Sequence, residues 1–137
     1  MIWLNDFRKT EQGQAIVEMA LVLPILIMLI FGIVEFGRIL NTYMIVTDLS
    51  REGAREGAVG GTDSDIETTV RSNATAADLE ESDLSVLINP ASGGIRARGT
   101  SVEVQVSYPV DIIAPVIGTI IGDPYIVTSQ TTMRVEG

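Results

Sequence analysis

The chain of 137 residues contains neither histidine nor cysteine. The first absence removes the commonest general base and the commonest metal ligand; the second removes thiol nucleophiles and any disulfide framework. Basic residues are scarce, 9 against 18 acidic ones, for a formal net charge of −9. Beyond Leu40, six arginines face fourteen acidic residues, about −8 in all. A surface of that sign repels nucleic acid and anionic lipid headgroups, so no nucleic-acid partner is expected and the charge reads as a solvated exterior.

Phosphate-binding signals are also missing. Gly53 to Gly61 lies on a helical pattern, without a preceding strand or a following P-loop lysine. Asp63, Asp65 and Glu67 superficially suggest calcium. An EF-hand loop starting at Asp63 would need glycine where Thr68 stands and glutamate where Ala74 stands. These acids fit better as charges at a helix N-terminus. What remains is scattered serines, threonines and surface carboxylates. The sequence therefore predicts a non-catalytic protein with no cofactor and no metal.

What the chain does have is one long apolar run. No charged residue occurs from Met19 to Val34, and over Ala15 to Leu40 only Glu18, Glu35 and Arg38 interrupt it. About 20 apolar residues cross a bilayer, and a small domain rarely hides a helix that is apolar on every face. The run is too long for a cleaved secretory signal and continues as a helical pattern past Arg38, so it is expected to anchor the mature protein. Arg8 and Lys9 immediately precede it, which places the N-terminus on the cytoplasmic side and the rest of the chain outside. Arg38, Arg51 and Arg55 lie on the far side with acidic neighbours.

Two glutamates mark the ends of the run. Glu35 is expected at headgroup level, snorkelling and pairing with Arg38 three residues on. Glu18 lies within the apolar zone, where an ionised carboxylate costs about 2.5–3.5 kcal/mol at mid-span and less near the end. Pro24 removes an amide donor and predicts a bend or local melting of the span, in a setting where proline is also simply tolerated.

The helical pattern continues from Asn41 to about Val59, an elongated stalk in which roughly 45 residues from Gln14 onward span about 65–70 Å. Gly53, Gly57 and Gly61 recur every four residues with Ala54 and Ala58 beside them, leaving a face almost without side-chain bulk. That face suits either close packing against another subunit or contact with the chain's own sheet. Gly60-Gly61 marks the stop. Ser64-Asp-Ile-Glu67 suggests a capping box opening a second helix with Ile66, Val70 and Ala74 on one side. Leu84 to Ile88 predicts a buried strand. Val102, Val104, Val106 and Tyr108 alternate with polar residues, and Tyr125 to Val135 supplies another strand with Tyr125, Val127 and Met133 on one parity. Val110 to Ile121 is apolar but broken by Asp111, Pro115 and Gly118; it is too short to span and predicts a loop or short helix that completes the core or offers an exposed partner patch. The fold class is α+β: a long N-terminal membrane helix continuing into a stalk, a second short helix, and an antiparallel sheet of about three strands.

Gly13-Gln-Ala-Ile-Val-Glu18, at the end of a short polar leader, resembles the class III signal of type IV pilins. The resemblance implies cleavage by a prepilin peptidase between Gly13 and Gln14, leaving Glu18 fifth in the mature chain. Gln14 stands where many pilins have phenylalanine. The longer run Gly13 to Pro24, then Phe31-Gly-Ile-Val-Glu-Phe-Gly-Arg38 and Ala54-Arg-Glu-Gly-Ala58, is similar to TadE-like proteins, minor pseudopilins of tight-adherence (Flp) pili. Val104-Gln-Val-Ser-Tyr-Pro109 and Thr131-Thr-Met-Arg134 share that similarity.

The implied organisation is a cleaved leader, 1–13; a membrane helix and stalk, 14–61; and an exported domain, 62–137. The implied role is assembly or initiation of a pilus from the inner membrane of a prokaryote, with incorporation into the filament as one outcome. Implied partners are the peptidase, the membrane and other pilin-like subunits in a helical homo- or hetero-oligomer. Gly13, Gln14 and Glu18 would serve processing, and Glu18, Pro24, Gly53 and Gly57 assembly. The alternative is an unprocessed single-span envelope adaptor that binds other secretion or pilus components.

Overall fold

A computed structural model describes residues 4–136. The first three residues of the expected leader lie outside the described residues, as do the side chains of Arg8 and Lys9 on which the expected orientation rests.

Helix α1 runs from Leu4 to Ala58. It passes through Pro24 without a break, so the local melting expected there does not occur. Its two halves differ in what surrounds them. From Gly13 to Phe31 every residue is exposed. From Glu35 onward a stripe is buried or half-buried: Glu35, Ile39, Thr42, Val46, Leu49 and Ser50, Gly53 and Ala54, Gly57 and Ala58. Steps of three and four keep these positions on one face of a 3.6-residue helix. The distal half is thus no free stalk but one wall of the core.

Two glycines end α1. Gly60 adopts φ +101°, its amide donating to the Gly57 carbonyl and that of Gly61 to the Glu56 carbonyl, the paired bonds of a Schellman cap. The chain then turns into α2, Asp63–Ala76. Its capping box lies two residues before the one expected at Ser64–Glu67. Thr62 takes the extended N-cap conformation and accepts from the Asp65 amide, while the Asp65 carboxylate accepts from the Thr62 amide and hydroxyl. Because the Schellman cap finishes at Gly61, Thr62 is the first residue free to be extended, and Ser64 already lies inside the first turn. Glu67 instead lies 3.8 Å from Arg71. Bonds from Thr62 hold the Asp65 carboxyl below its ordinary range.

A single turn of 3₁₀ helix, Glu81–Asp83, leads into three antiparallel strands: β1, Ser85–Asn89; β2, Ser101–Val110; and β3, Tyr125–Arg134. β2 is central, with Val104 opposite Ile88 on one side and Thr131 on the other. The period-two pattern fixes its faces: Val102, Val104 and Val106 are fully buried, packed against α1 in a core that α2 also enters. One core unites Val46, Leu49 and Ala54 of α1, Ile66, Val70 and Ala74 of α2, the β2 valines and Val127. It therefore draws on both sides of the expected 61/62 division.

Between β2 and β3 a short helix, α3, spans Pro115–Ile121. The two expectations for this segment divide along it. Val110, Ile112 and Ala114 are buried, whereas Ile113, Val116, Ile120 and Ile121 are exposed.

Candidate functional site

The lower half of α1 carries the expected processing and assembly residues on bare helix. Gly13 has open space around its Cα. Glu18 is exposed among Ala15, Met19, Val22, Leu23 and Leu26, a surface otherwise apolar. Gln14 lies one turn before Glu18 on the same helix, and both are exposed. Pro24 is also exposed and lines a groove facing α3.

Gly53 and Gly57 sit differently. A Cβ on Gly53 would come within 2.7 Å of Val70 Cγ2 and 3.0 Å of Val104 Cγ1; one on Gly57 would come within 2.9 Å of Ile66 Cδ1 and 3.0 Å of Val102 Cγ2. The close approach that glycine permits is made within the chain, to α2 and β2, and that face is closed to a second subunit in this fold.

Glu35 is the residue that sequence reasoning placed wrongly. It is 3% exposed. Its pairing with Arg38, at 2.7 Å, is as expected, but it does not snorkel. Its Oε2 accepts the amides of Ile113, at 3.1 Å, and Ala114, at 3.4 Å. Arg38 also donates to the Asp111 carbonyl, and the Asp123 carboxylate accepts the Ile112 amide. These contacts latch the α3 segment to α1 where the bare half of the helix meets the packed half. Only a charge near the end of an apolar run hinted at this; its partners besides Arg38 are backbone groups 78 and 79 residues away.

Arg96 was missed altogether. Buried in the β1–β2 connection, it pairs with Asp63 and donates to the carbonyls of Gly61 and Pro90. Asp63, one of the acids that superficially suggested calcium, thus anchors an arginine and also accepts the Ser92 amide.

One described helix is long and apolar enough to cross a membrane, and it carries an α+β domain on its distal half. The class is compatible with a single-pass membrane protein. Residues 13–55 match the family model described as TadE-like protein, consistent with a TadE-like member of the tight-adherence pilus systems. The matched segment holds Gly13, Gln14, Glu18, Pro24, Glu35 and Gly53 and stops short of Gly57. No curated protein and no solved structure matches the chain.

Proposed function

We propose that the protein is a non-catalytic minor pseudopilin that assists assembly or initiation of a tight-adherence pilus. The family match from Gly13 to Arg55 carries this reading, because it covers the exposed apolar half of α1 together with Glu35 and Arg38 above it. In this reading α1 holds the subunit in the inner membrane, N-terminus inward and domain outward, until the prepilin peptidase cuts between Gly13 and Gln14. The freed α-amino group then pairs with Glu18 of a neighbouring pilin-like subunit at low dielectric, where the pair sets axial register more than it adds stability. The apolar surface from Ala15 to Val34 supplies the helix bundle, and the packed domain stays outside it. Head-to-tail contacts of this kind generate an open helical assembly.

One observation favours the alternative of an uncut envelope adaptor. α1 is continuous from Leu4 through Gly13 and Gln14, so a peptidase must first open helical backbone there. Intact mass and terminal sequencing of the membrane-extracted protein, with and without the pilus peptidase, separate the two. Peptidase-dependent Gln14 at the N-terminus supports the pseudopilin; Met1 retained in both strains overturns it in favour of the adaptor.

A further inference from the structure

We infer that α3 and its flanks, Ile112 to Gly122, form a second membrane contact, seated in the half of the bilayer nearer the domain with Ile113, Val116, Ile120 and Ile121 among acyl chains. The inference rests on reading α1 as the membrane span.

Depth is the first argument. Glu35 is the lowest buried position among the α1 residues whose burial is described, and α3 lies below it along the bare helix. Ala114, Val116 and Ile117 share an open groove of about 520 Å³ with Leu23, Pro24, Ile27, Met28 and Phe31, and a Cβ on Gly32 would lie 3.7 Å from Ile117 Cδ1. At 1.5 Å per residue, Glu35 to Pro24 covers about 16 Å, roughly half of a ~30 Å hydrocarbon core. A bilayer around the span therefore has to accommodate α3 as well.

Surface chemistry is the second. The segment carries no charged residue from Ile112 to Gly122, yet Ile113 is 65% and Ile120 76% exposed. This apolar surface is continuous with that of the span. Just above it, Tyr43 and Tyr125 line a groove with Phe36 and Leu40, and tyrosine favours the headgroup level.

Backbone satisfaction is the third. Irregular backbone survives at membrane depth only where its polar groups find partners within the protein. Here the amides of Ile112 and Ile113 go to Asp123 and Glu35, that of Ala114 also goes to Glu35, and Pro115 has none. Those of Ile117 and Gly118 go to the Ala114 carbonyl and that of Gly122 to Gly118. The Thr119 hydroxyl donates to the Val116 carbonyl at 2.7 Å.

The cysteine-free chain allows a clean test. Single cysteines replacing Ile120, Val116, Leu26 in the span and Gln130 on the outer sheet face are labelled with an environment-sensitive fluorophore. The full chain is then reconstituted in phosphatidylethanolamine–phosphatidylglycerol vesicles. The Ile120→Cys and Val116→Cys labels should match Leu26→Cys, with blue-shifted emission, quenching by acyl-chain nitroxide lipids and loss of quenching by aqueous iodide; Gln130→Cys should show the reverse. Iodide access at both α3 positions while Leu26→Cys is shielded overturns the inference and leaves the span standing. Iodide access at Leu26→Cys as well overturns the span and the inference with it. Shielding of α3 from both quenchers shows a protein cover, a second copy of this chain, and overturns the lipid assignment.

Discussion

At the scale of single residues, Glu35 and the helix glycines carry the most consequence. Replacing Glu35 with leucine removes the acceptor of two amides and the partner of Arg38, each unmet amide costing about 1–3 kcal/mol. Glu35→Leu should sharply raise hydrogen exchange at Ile112 to Gly122 while β2 stays protected; Glu35→Gln, which keeps an acceptor oxygen, should raise it less. Unchanged exchange in the leucine variant would remove the latch from this account. For Gly53→Ala, an overpacking cost of about 1–3 kcal/mol opposes about 1 kcal/mol of helix propensity. The contact of 2.7 Å with Val70 leaves the alanine no room, so the thermal midpoint should fall. Gly37→Ala meets nothing within 4 Å and should not lower it. The small-residue face was visible in the sequence; which surface it meets was not, because Val70 and Val104 are brought to it only by the packing of α2 and β2.

Among the elements, α2 depends on its first turn. Thr62→Ala removes the cap and should cost about 1 kcal/mol in denaturant unfolding. Because folding lowers the Asp65 pKa, the stability that this carboxylate contributes is present above the ordinary aspartate range and is lost as pH falls through the folded value. Asp65→Asn should therefore flatten the acid limb of the stability profile and leave the neutral region nearly unchanged in slope; an acid limb identical to that of the parent chain would contradict the assignment. The positions of β2 and β3 were legible because alternation is a local signal, whereas the strand expected to be buried at Leu84 to Ile88 is a half-exposed edge strand, because β2 covers only one of its sides. The capping box was displaced by two residues because the exit from α1, through Gly60 and Gly61, decides where the next helix can begin. Arg96 carried no local signal: an arginine in a loop with three glycines becomes a buried anchor only when Asp63 and the Gly61 carbonyl arrive beside it.

For the whole molecule, the test lies in processing and assembly. Gly13→Leu should block maturation, measured as retention of the leader in cells that hold the peptidase. Glu18→Ala should leave cutting intact and reduce pilus yield, measured on sheared filaments. If neither change alters processing or piliation, the pseudopilin reading fails. If the proposed function and the inferred seat of α3 both hold, a subunit leaving the bilayer has to withdraw α3 together with α1.

The sequence by itself determined the apolar helix, its glycine stop, the alternating strands and the poverty of chemistry, since each is written in contiguous residues through hydrophobicity, period and composition. Tertiary structure alone decided which half of α1 is packed, where Glu35 points, what meets Gly53 and Gly57, and that α3 lies beside the apolar half of α1. Each of these depends on groups far apart in the chain, and no local pattern encodes a partner that only the completed core brings within reach.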